Sequence, residues 1–251
     1  MENRRGIEKL FFELASESRL SILRELSKKN SKLNDVARQL DLTQTEAFRQ
    51  MQRLTETFLV EKKPDTTYGI TEFGKLVLHQ TLTFEFISVH RDYFLMHDIW
   101  LLPTQFVDRI GTLSNASLQL DPIENINMIS NMIKETEQFL WGIGESAGIE
   151  NLNNLMNQKI AARVQFRFLG PASIHSPNYE IPTSASKNFE VKVITTDVPV
   201  FVLVTEKEAA VGFRCIGGRL DYSGFIGKDF AFRNWAKDLF LHYWNNTKEK
   251  S

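Results

Sequence analysis

The sequence predicts an α+β chain built from two folded parts and a helical connector, on three observations. At 251 residues the chain exceeds the roughly 100–150 residues of one small domain. Apolar residues recur at helical spacing through the first 57 or so positions and then change to two short strand-like runs around a turn. From residue 122 onward apolar strands alternate with amphipathic helices. The divisions fall at residues 1–78, 79–121 and 122–251. Hydrophobic residues make up 42% and charged residues 24%, the balance of a globular chain with its own cores.

The first part opens with Ile7, Leu10, Phe11 and Leu14, then Leu20, Ile22, Leu23 and Leu26, which predicts one or two amphipathic helices over 6–28. The polar run KKNSK breaks them. Leu33, Val36, Ala37 and Leu40 mark a short helix, LNDVARQL, and residues 41–43 form a turn. Thr43 followed three residues later by Glu46 reads as a capping box that starts a third helix. Ala47, Met51 and Leu54 share one face of that helix, whereas Gln44, Thr45, Phe48, Arg49 and Gln52 point elsewhere. LVEKKPDTTYGIT then reads as a hairpin around a Pro-Asp turn, and Thr71 caps the next helix.

Residues 75–113 read as helical and rich in aromatics, with Phe84, Phe86, Tyr93, Phe94, Trp100 and Phe106 and an interruption at Pro103. This predicts a packed connector or a dimer seam. The third part shows a helix over Ile126, Ile129 and Ile133, the strand FLWGIG, the helix NLNNLMNQKIA and the strand RVQFRFLG. After a poorly patterned stretch, 171–186, come the strands FEVKVI, VPVFVLV and AAVGFRCI. The loop GGRLDYSGFIGKD and a last helix striped with Phe232, Trp235, Leu239, Phe240 and Trp244 follow.

The order helix, helix, helix, two-stranded wing, helix defines a winged helix-turn-helix domain. SRLSILREL, LNDVARQL, LTQTEAFRQMQRLTETFLV and YGITEFG together resemble the winged helix-turn-helix of ArsR-type transcription regulators over about 70 residues. At Phe58 such sequences usually carry a helix-ending Gly, so a helix end without the left-handed cap is expected there. The whole chain, including VHRDYFLMHDIWLLPTQFVDRIG and DFAFRNWAKDLFLHYW, resembles an archaeal regulator family in which a winged helix precedes a methanogenesis regulatory protein middle domain. That resemblance implies a cytoplasmic regulator that binds double-stranded DNA and senses a small-molecule effector with its C-terminal domain.

The chemistry of the third helix agrees with that implication. A helix laid in the major groove needs donors and acceptors near its N-terminus, and Gln44, Thr45, Phe48, Arg49 and Gln52 occupy such positions. Arg53, Lys62 and Lys63 fall where a recognition helix and wing would meet phosphates. Residues 1–78 carry 14 basic and 12 acidic residues, a net of +2 within a chain of net charge -1. Charge alone therefore decides nothing, and Glu46, Glu56, Glu61 and Asp65 dilute the basic face. A winged helix used for protein contacts is the plainer alternative.

For the effector, Asp197, Arg214, Asp221 and Tyr222 are the candidates, against a turn cap for Asp197 and a buried salt bridge for Arg214. A homodimer is expected, since two recognition helices one turn of DNA apart supply affinity and register. The rival is a C-terminal domain that only dimerises or recruits a protein partner.

No metal and no cofactor are expected. Cys215 is the only cysteine and reads as a buried inert thiol. His90 and His97, seven apart on one helix, would stand roughly 10 Å apart along its axis, too far for one ion. A histidine-based metal-sensing repressor remains as an alternative. Nor is an enzyme expected. His175 beside Ser173 and Ser176 lacks a nucleophile elbow, Gly142, Gly144 and Gly148 match a dinucleotide loop poorly, and the His-x-Lys-x4-Asp pattern of the fold-related phospholipase D class is missing. No apolar run reaches the roughly 18 residues of a membrane span, and MENRRGIEKL has no apolar export segment.

Overall fold

A computed structural model describes residues 5–145, 150–171, 188–194 and 199–247. The chain divides between Glu85 and Phe86 into two compact units.

In the first unit α1 (Arg5–Leu14), α2 (Glu17–Lys28), α3 (Leu33–Gln39) and α4 (Gln44–Glu56) precede β1 (Val60–Lys62), β2 (Tyr68–Ile70) and the start of α5 (Glu72–Val89). Ile22, Leu23 and Leu26 of α2, Val36 of α3, and Met51 and Leu54 of α4 meet Leu59, Val60 and Ile70 in one core. The period-3.6 stripe read from the sequence is therefore the buried face. Strands β1 and β2 pair antiparallel with Lys62 opposite Tyr68. Ser31 adds a third backbone position to this wing, giving its N–H to the Tyr68 carbonyl at 3.0 Å and receiving the Tyr68 N–H at 2.8 Å. The unit is a winged helix-turn-helix.

Both ends of α4 are built by local chemistry. The Thr43 hydroxyl accepts the Glu46 N–H at 3.2 Å, satisfying one orphan donor of the first turn. At the other end Phe58 takes φ +60, and its N–H reaches the Thr55 carbonyl at 3.0 Å while the Leu59 N–H reaches Leu54 at 3.0 Å. Those two bonds make a Schellman motif. The expected loss of the left-handed cap is thus corrected: the cap forms with Phe in the place of Gly. Leu54 and Leu59, both fully buried, supply the apolar contact that holds it.

In the second unit α6 (Arg91–Met96) and α7 (Thr104–Val107) are followed by β3 (Ser117–Gln119), α8 (Pro122–Glu135), β4 (Phe139–Ile143), α9 (Glu150–Ala161) and β5 (Gln165–Pro171). Then come β6 (Phe189–Ile194), β7 (Val200–Thr205), β8 (Ala209–Phe213), β9 (Gly224–Gly227) and α10 (Phe230–Asn246). Among the described residues the strands form one mixed sheet in the order β3-β9-β8-β7-β4-β5-β6. Strands β4, β5 and β6 run parallel, and β7 reverses the direction beside β4. Alternate side chains serve opposite faces. Leu140, Leu203 and Ala210 pack under Ile129 and Met132 of α8 and Ile160 of α9, whereas Trp141, Val202, Val204 and Val211 pack under Trp235, Leu239 and Phe240 of α10. Both faces are covered, which is why these strands read as continuous apolar runs.

Two findings differ from the sequence reading. Residues 86–121, expected as a connector, place Phe86, Tyr93, Phe106 and Leu113 in the same core as α10 and the sheet, and the Trp235 indole N–H donates to the Phe106 carbonyl at 3.2 Å. Residues 224–227, read as loop, form β9. That strand lies close against β8 because Gly224 lacks a side chain: a Cβ there would stand 2.4 Å from the Val211 carbonyl oxygen.

Phe58 is 75% exposed, so replacing it loses little burial, while the left-handed backbone costs a non-glycine residue about 1–2 kcal/mol. After the entropy of glycine in the unfolded chain is subtracted, Phe58→Gly is expected to stabilise the protein by about 0.5–1 kcal/mol. Urea unfolding of both forms measures this, and a destabilised variant would refute the account of the cap.

Candidate functional site

The exposed face of α4 carries Gln44, Thr45, Phe48, Arg49 and Gln52, all at the surface, while Ala47, Met51 and Leu54 on the opposite face are fully buried. Gln52 bonds Glu56 at 3.1 Å, whereas no ion pair holds Arg49 among the described residues. On the wing, Lys62 is exposed with its ammonium 6.0 Å from the Tyr68 ring centre, and Lys63 is half-buried and paired with Glu61 at 2.5 Å. Asp65 accepts both the N–H and the hydroxyl of Thr67, bonds that hold its carboxyl below the ordinary range. Of the acids near this face, Glu56, Glu61 and Asp65 therefore have local partners.

Arg53 departs from the phosphate-contact expectation in its geometry. Its guanidinium forks onto the Glu13 carboxylate at 3.0 and 2.8 Å and lies over the Phe12 ring. Glu13 is itself buried and pairs with Arg19 at 2.9 Å. Arg19, also buried, donates to the carbonyls of Glu13 and Phe12 at 2.8 Å each and to Gln50 of α4 at 3.0 Å. The Arg53 bond is the main reason that the Glu13 carboxyl lies below its ordinary value, against an upward push from burial. This network ties α1 and α2 to the buried side of α4.

Lys29 and Lys32 were read from the sequence only as part of a break between helices. With Asp35, Arg38, Gln39 and Thr67 they line an open cleft of about 700 Å³ between the start of α3 and the wing. The lysines of KKNSK were the available signal.

Of the effector candidates, Asp197 lies outside the described residues, as do Gly148 and the His175 cluster. Arg214 is buried, and its guanidinium bonds the Glu145 carboxylate and the Gly218 carbonyl, the plainer salt-bridge arrangement. Tyr222 adopts φ +61 and its carbonyl accepts from the Asn125 amide. Asp221 stands 3.2 Å from Nε2 of buried His97 and receives the Ser223 hydroxyl and N–H at 2.7 and 2.9 Å. Burial raises its pKa, but the Ser223 bonds and His97 outweigh that and leave it below the ordinary value. Cys215, half-buried, joins the same cluster with Sγ 3.8 Å from His97 Nε2. Burial and the Asp221 charge push its thiol up. The structure thus unites His97, Cys215 and Asp221, while His90 and His97 cap the two ends of α6 and His97 leaves that helix in extended conformation.

Residues 7–91 match the family described as the HVO_A0261 N-terminal domain, and residues 181–246 match the middle domain of the methanogenesis regulatory protein FilR1. These matches bear out the resemblance read from the sequence. No curated protein matches the chain. Among solved structures it is similar to TrmBL2, described as an archaeal chromatin protein with a novel mode of DNA binding, at 10% identity over 88% of each chain with a TM-score of 0.46. It is also similar to PigF with SAH, at 10% identity over 76% of this chain and 61% of that one, with a TM-score of 0.27. A third is an O-methyltransferase, NcsB1, from neocarzinostatin biosynthesis in complex with S-adenosyl-L-homocysteine and 1,4-dihydroxy-2-naphthoic acid. Its identity is 12% over 75% of this chain and 64% of that one, with a TM-score of 0.23.

The likeness to methyltransferases corrects the flat expectation that the chain is not an enzyme, although scores this low assign no activity to it. Among the described residues no helix is long and apolar enough to cross a membrane.

Because the folded Glu13 carboxyl lies below its ordinary value of 4.5, its contribution is complete above that pH and is lost as pH falls through the lower folded value. Glu13→Gln is expected to cost about 3 kcal/mol at neutral pH, since Arg19 stays buried without its counter-charge. Urea unfolding from pH 7 to pH 3 should show the gap between wild type and variant closing toward acid. A gap independent of pH would rule out the carboxylate as its source.

Proposed function

We propose that the chain is a sequence-specific, DNA-binding transcriptional regulator, in which α4 reads base edges and the wing meets the backbone. The observation that carries this reading is the division of α4 into a fully buried apolar face and an exposed face bearing Gln44, Thr45, Phe48, Arg49 and Gln52. Arginine and glutamine at these positions suit guanine and adenine edges. Lys62, Lys63 and the lysines beside the α3 cleft suit phosphates. The matched regulator domains support the same reading. Arg53 enters as a positioning residue for α4, with its phosphate role secondary to the Glu13 contact.

Within this reading residues 1–78 bind DNA as an ArsR-like domain, and residues 122–251, with 86–121 packed into the same core, sense a small ligand in the cytoplasm and bias the DNA-bound state. Arg214, Asp221 and Tyr222 remain its candidate residues, together with Asp197. A ligand acts only by preferring one of two states. The protein works as a homodimer. In support, Phe11 of α1 and Phe84 of α5 meet edge to face at 6.1 Å while staying 48% and 59% exposed, and Ile7 and Leu82 are exposed as well.

Three measurements test the reading. Selection of bound genomic fragments supplies a preferred sequence, against which Arg49→Ala should lose about 1–3 kcal/mol of discrimination while binding to random DNA changes little. Lys62→Ala should weaken preferred and random DNA alike and reduce the salt slope by about one. Unchanged affinities in Arg49→Ala would remove it from base readout. Light scattering at micromolar concentration should give twice the 29.0 kDa chain mass, and a monomer both with and without DNA would overturn the dimer.

A further inference from the structure

We propose that His97, Cys215 and Asp221 form a binding site for a divalent cation of the zinc class, a site that stands whether or not α4 reads DNA. Their ligand atoms all lie within 4.8 Å of one another. Zinc bonds of about 2.05 Å to nitrogen, 2.1 Å to oxygen and 2.3 Å to sulphur in tetrahedral geometry put N and O about 3.4 Å apart and S and N about 3.6 Å apart. The protein holds Nε2 of His97 3.2 Å from Asp221 Oδ2 and 3.8 Å from Cys215 Sγ. Both of these separations match a shared cation to within a few tenths of an ångström, and Sγ lies within 4.8 Å of the Asp221 carboxylate.

The backbone prepares this meeting. Residues 97 and 215 face each other across an antiparallel bridge, flanked by Ile216 N–H to the Met96 carbonyl and Asp98 N–H to the Arg214 carbonyl, each 2.8 Å. The two residues are thus a non-hydrogen-bonded pair, the register in which side chains approach most closely. Asp221 is aimed by its own neighbours: Oδ1 takes both Ser223 bonds, which leaves Oδ2 for the cluster.

The histidine tautomer supplies the chemical argument. Nδ1 lies 2.7 Å from the Tyr93 carbonyl, an acceptor only, so Nδ1 carries the proton. The ring is also stacked on Tyr93 at 3.8 Å. In the neutral ring the Nε2 lone pair then points at a carboxylate oxygen and a sulphur. Three potential ligand atoms thus converge on one point. A cation satisfies all three and draws the thiol into its thiolate form. A carbonyl-fixed imidazole is also the usual outer support of a metal-bound histidine. Imidazole, thiolate and carboxylate in tetrahedral array select zinc over the hard oxygen-seeking ions. Ser223 Oγ, 3.3 Å from Nε2, or water is available for the fourth position, and the 42% exposure of the Asp221 side chain gives solvent access.

The test is a titration of the reduced full-length protein with cobalt(II). One equivalent should bind and produce a sulphur-to-cobalt charge-transfer band, and zinc should abolish it. Because Cys215 is the chain's only cysteine, the band has a single source. Cys215→Ser should lose the band, and Asp221→Asn should bind cobalt at least about tenfold more weakly. Circular dichroism of the metal-free variants checks that they fold; if Cys215→Ser does not, the wild-type band and the Asp221→Asn affinity decide. Absence of a band in the wild type, or equal affinity in Asp221→Asn, would overturn the site. The DNA measurements above are separate, so either reading can fail alone.

Discussion

The first unit depends on one buried carboxylate. Glu13 sits where α1, α2 and α4 approach one another, and two guanidiniums converge on it. Arg19 could not be buried there alone, and the Glu13 carboxylate could not be buried without a guanidinium beside it. The arrangement holds only when α1 and α4 stand in one register, so a polar contact on the buried side sets the direction in which the exposed side of α4 faces. Gln50 strengthens this by accepting from Arg19 on the same buried side. The side chains proposed to read DNA are thereby oriented by residues that need never touch it.

Much of this unit was legible because its signals are local. The Thr43 cap, the stripe Ala47, Met51 and Leu54, the hairpin around Pro64 and the cap at Thr71 each depend on residues within a few positions of one another. Arg53 was not legible. In sequence it sits with Arg49 and Gln52 in a polar stretch, and its partner lies 40 positions away. A helical projection would place it near the border of the buried face, but nothing in the sequence pairs it with Glu13. Phe58 shows the opposite case. The departure from glycine was plain, yet its consequence depended on tertiary packing: buried Leu54 and Leu59 hold the turn closed and impose the left-handed backbone on a residue that resists it.

In the second unit the sheet could be anticipated from its apolar runs, whereas the aromatic segment after residue 85 was harder to place. Its spacing fits both a seam between subunits and a layer over a sheet. The structure favours packing because Phe86, Tyr93 and Phe94 all meet Phe225, a residue of the short strand hidden between two glycines. Once β9 is missing from the sequence reading, the surface that this segment covers is missing as well. One overlooked strand thus explains two differences.

The cluster at His97 follows from the same cause. Judged on a single helix, His97 could be paired only with His90, and that spacing argued against an ion. The helix instead ends at His97, whose φ of -121 and ψ of 140 are those of a strand. A residue in that conformation can pair with another extended segment, and the one it meets carries Cys215. The turn after Cys215, with Gly217 and Gly218 at positive φ, then brings the chain back to Asp221. Ligands 118 and 6 residues apart are invisible to any test of local spacing. They become neighbours because a helix terminates in extended backbone beside a strand that turns sharply, and a helix continued by one more residue would have separated the imidazole from the thiol.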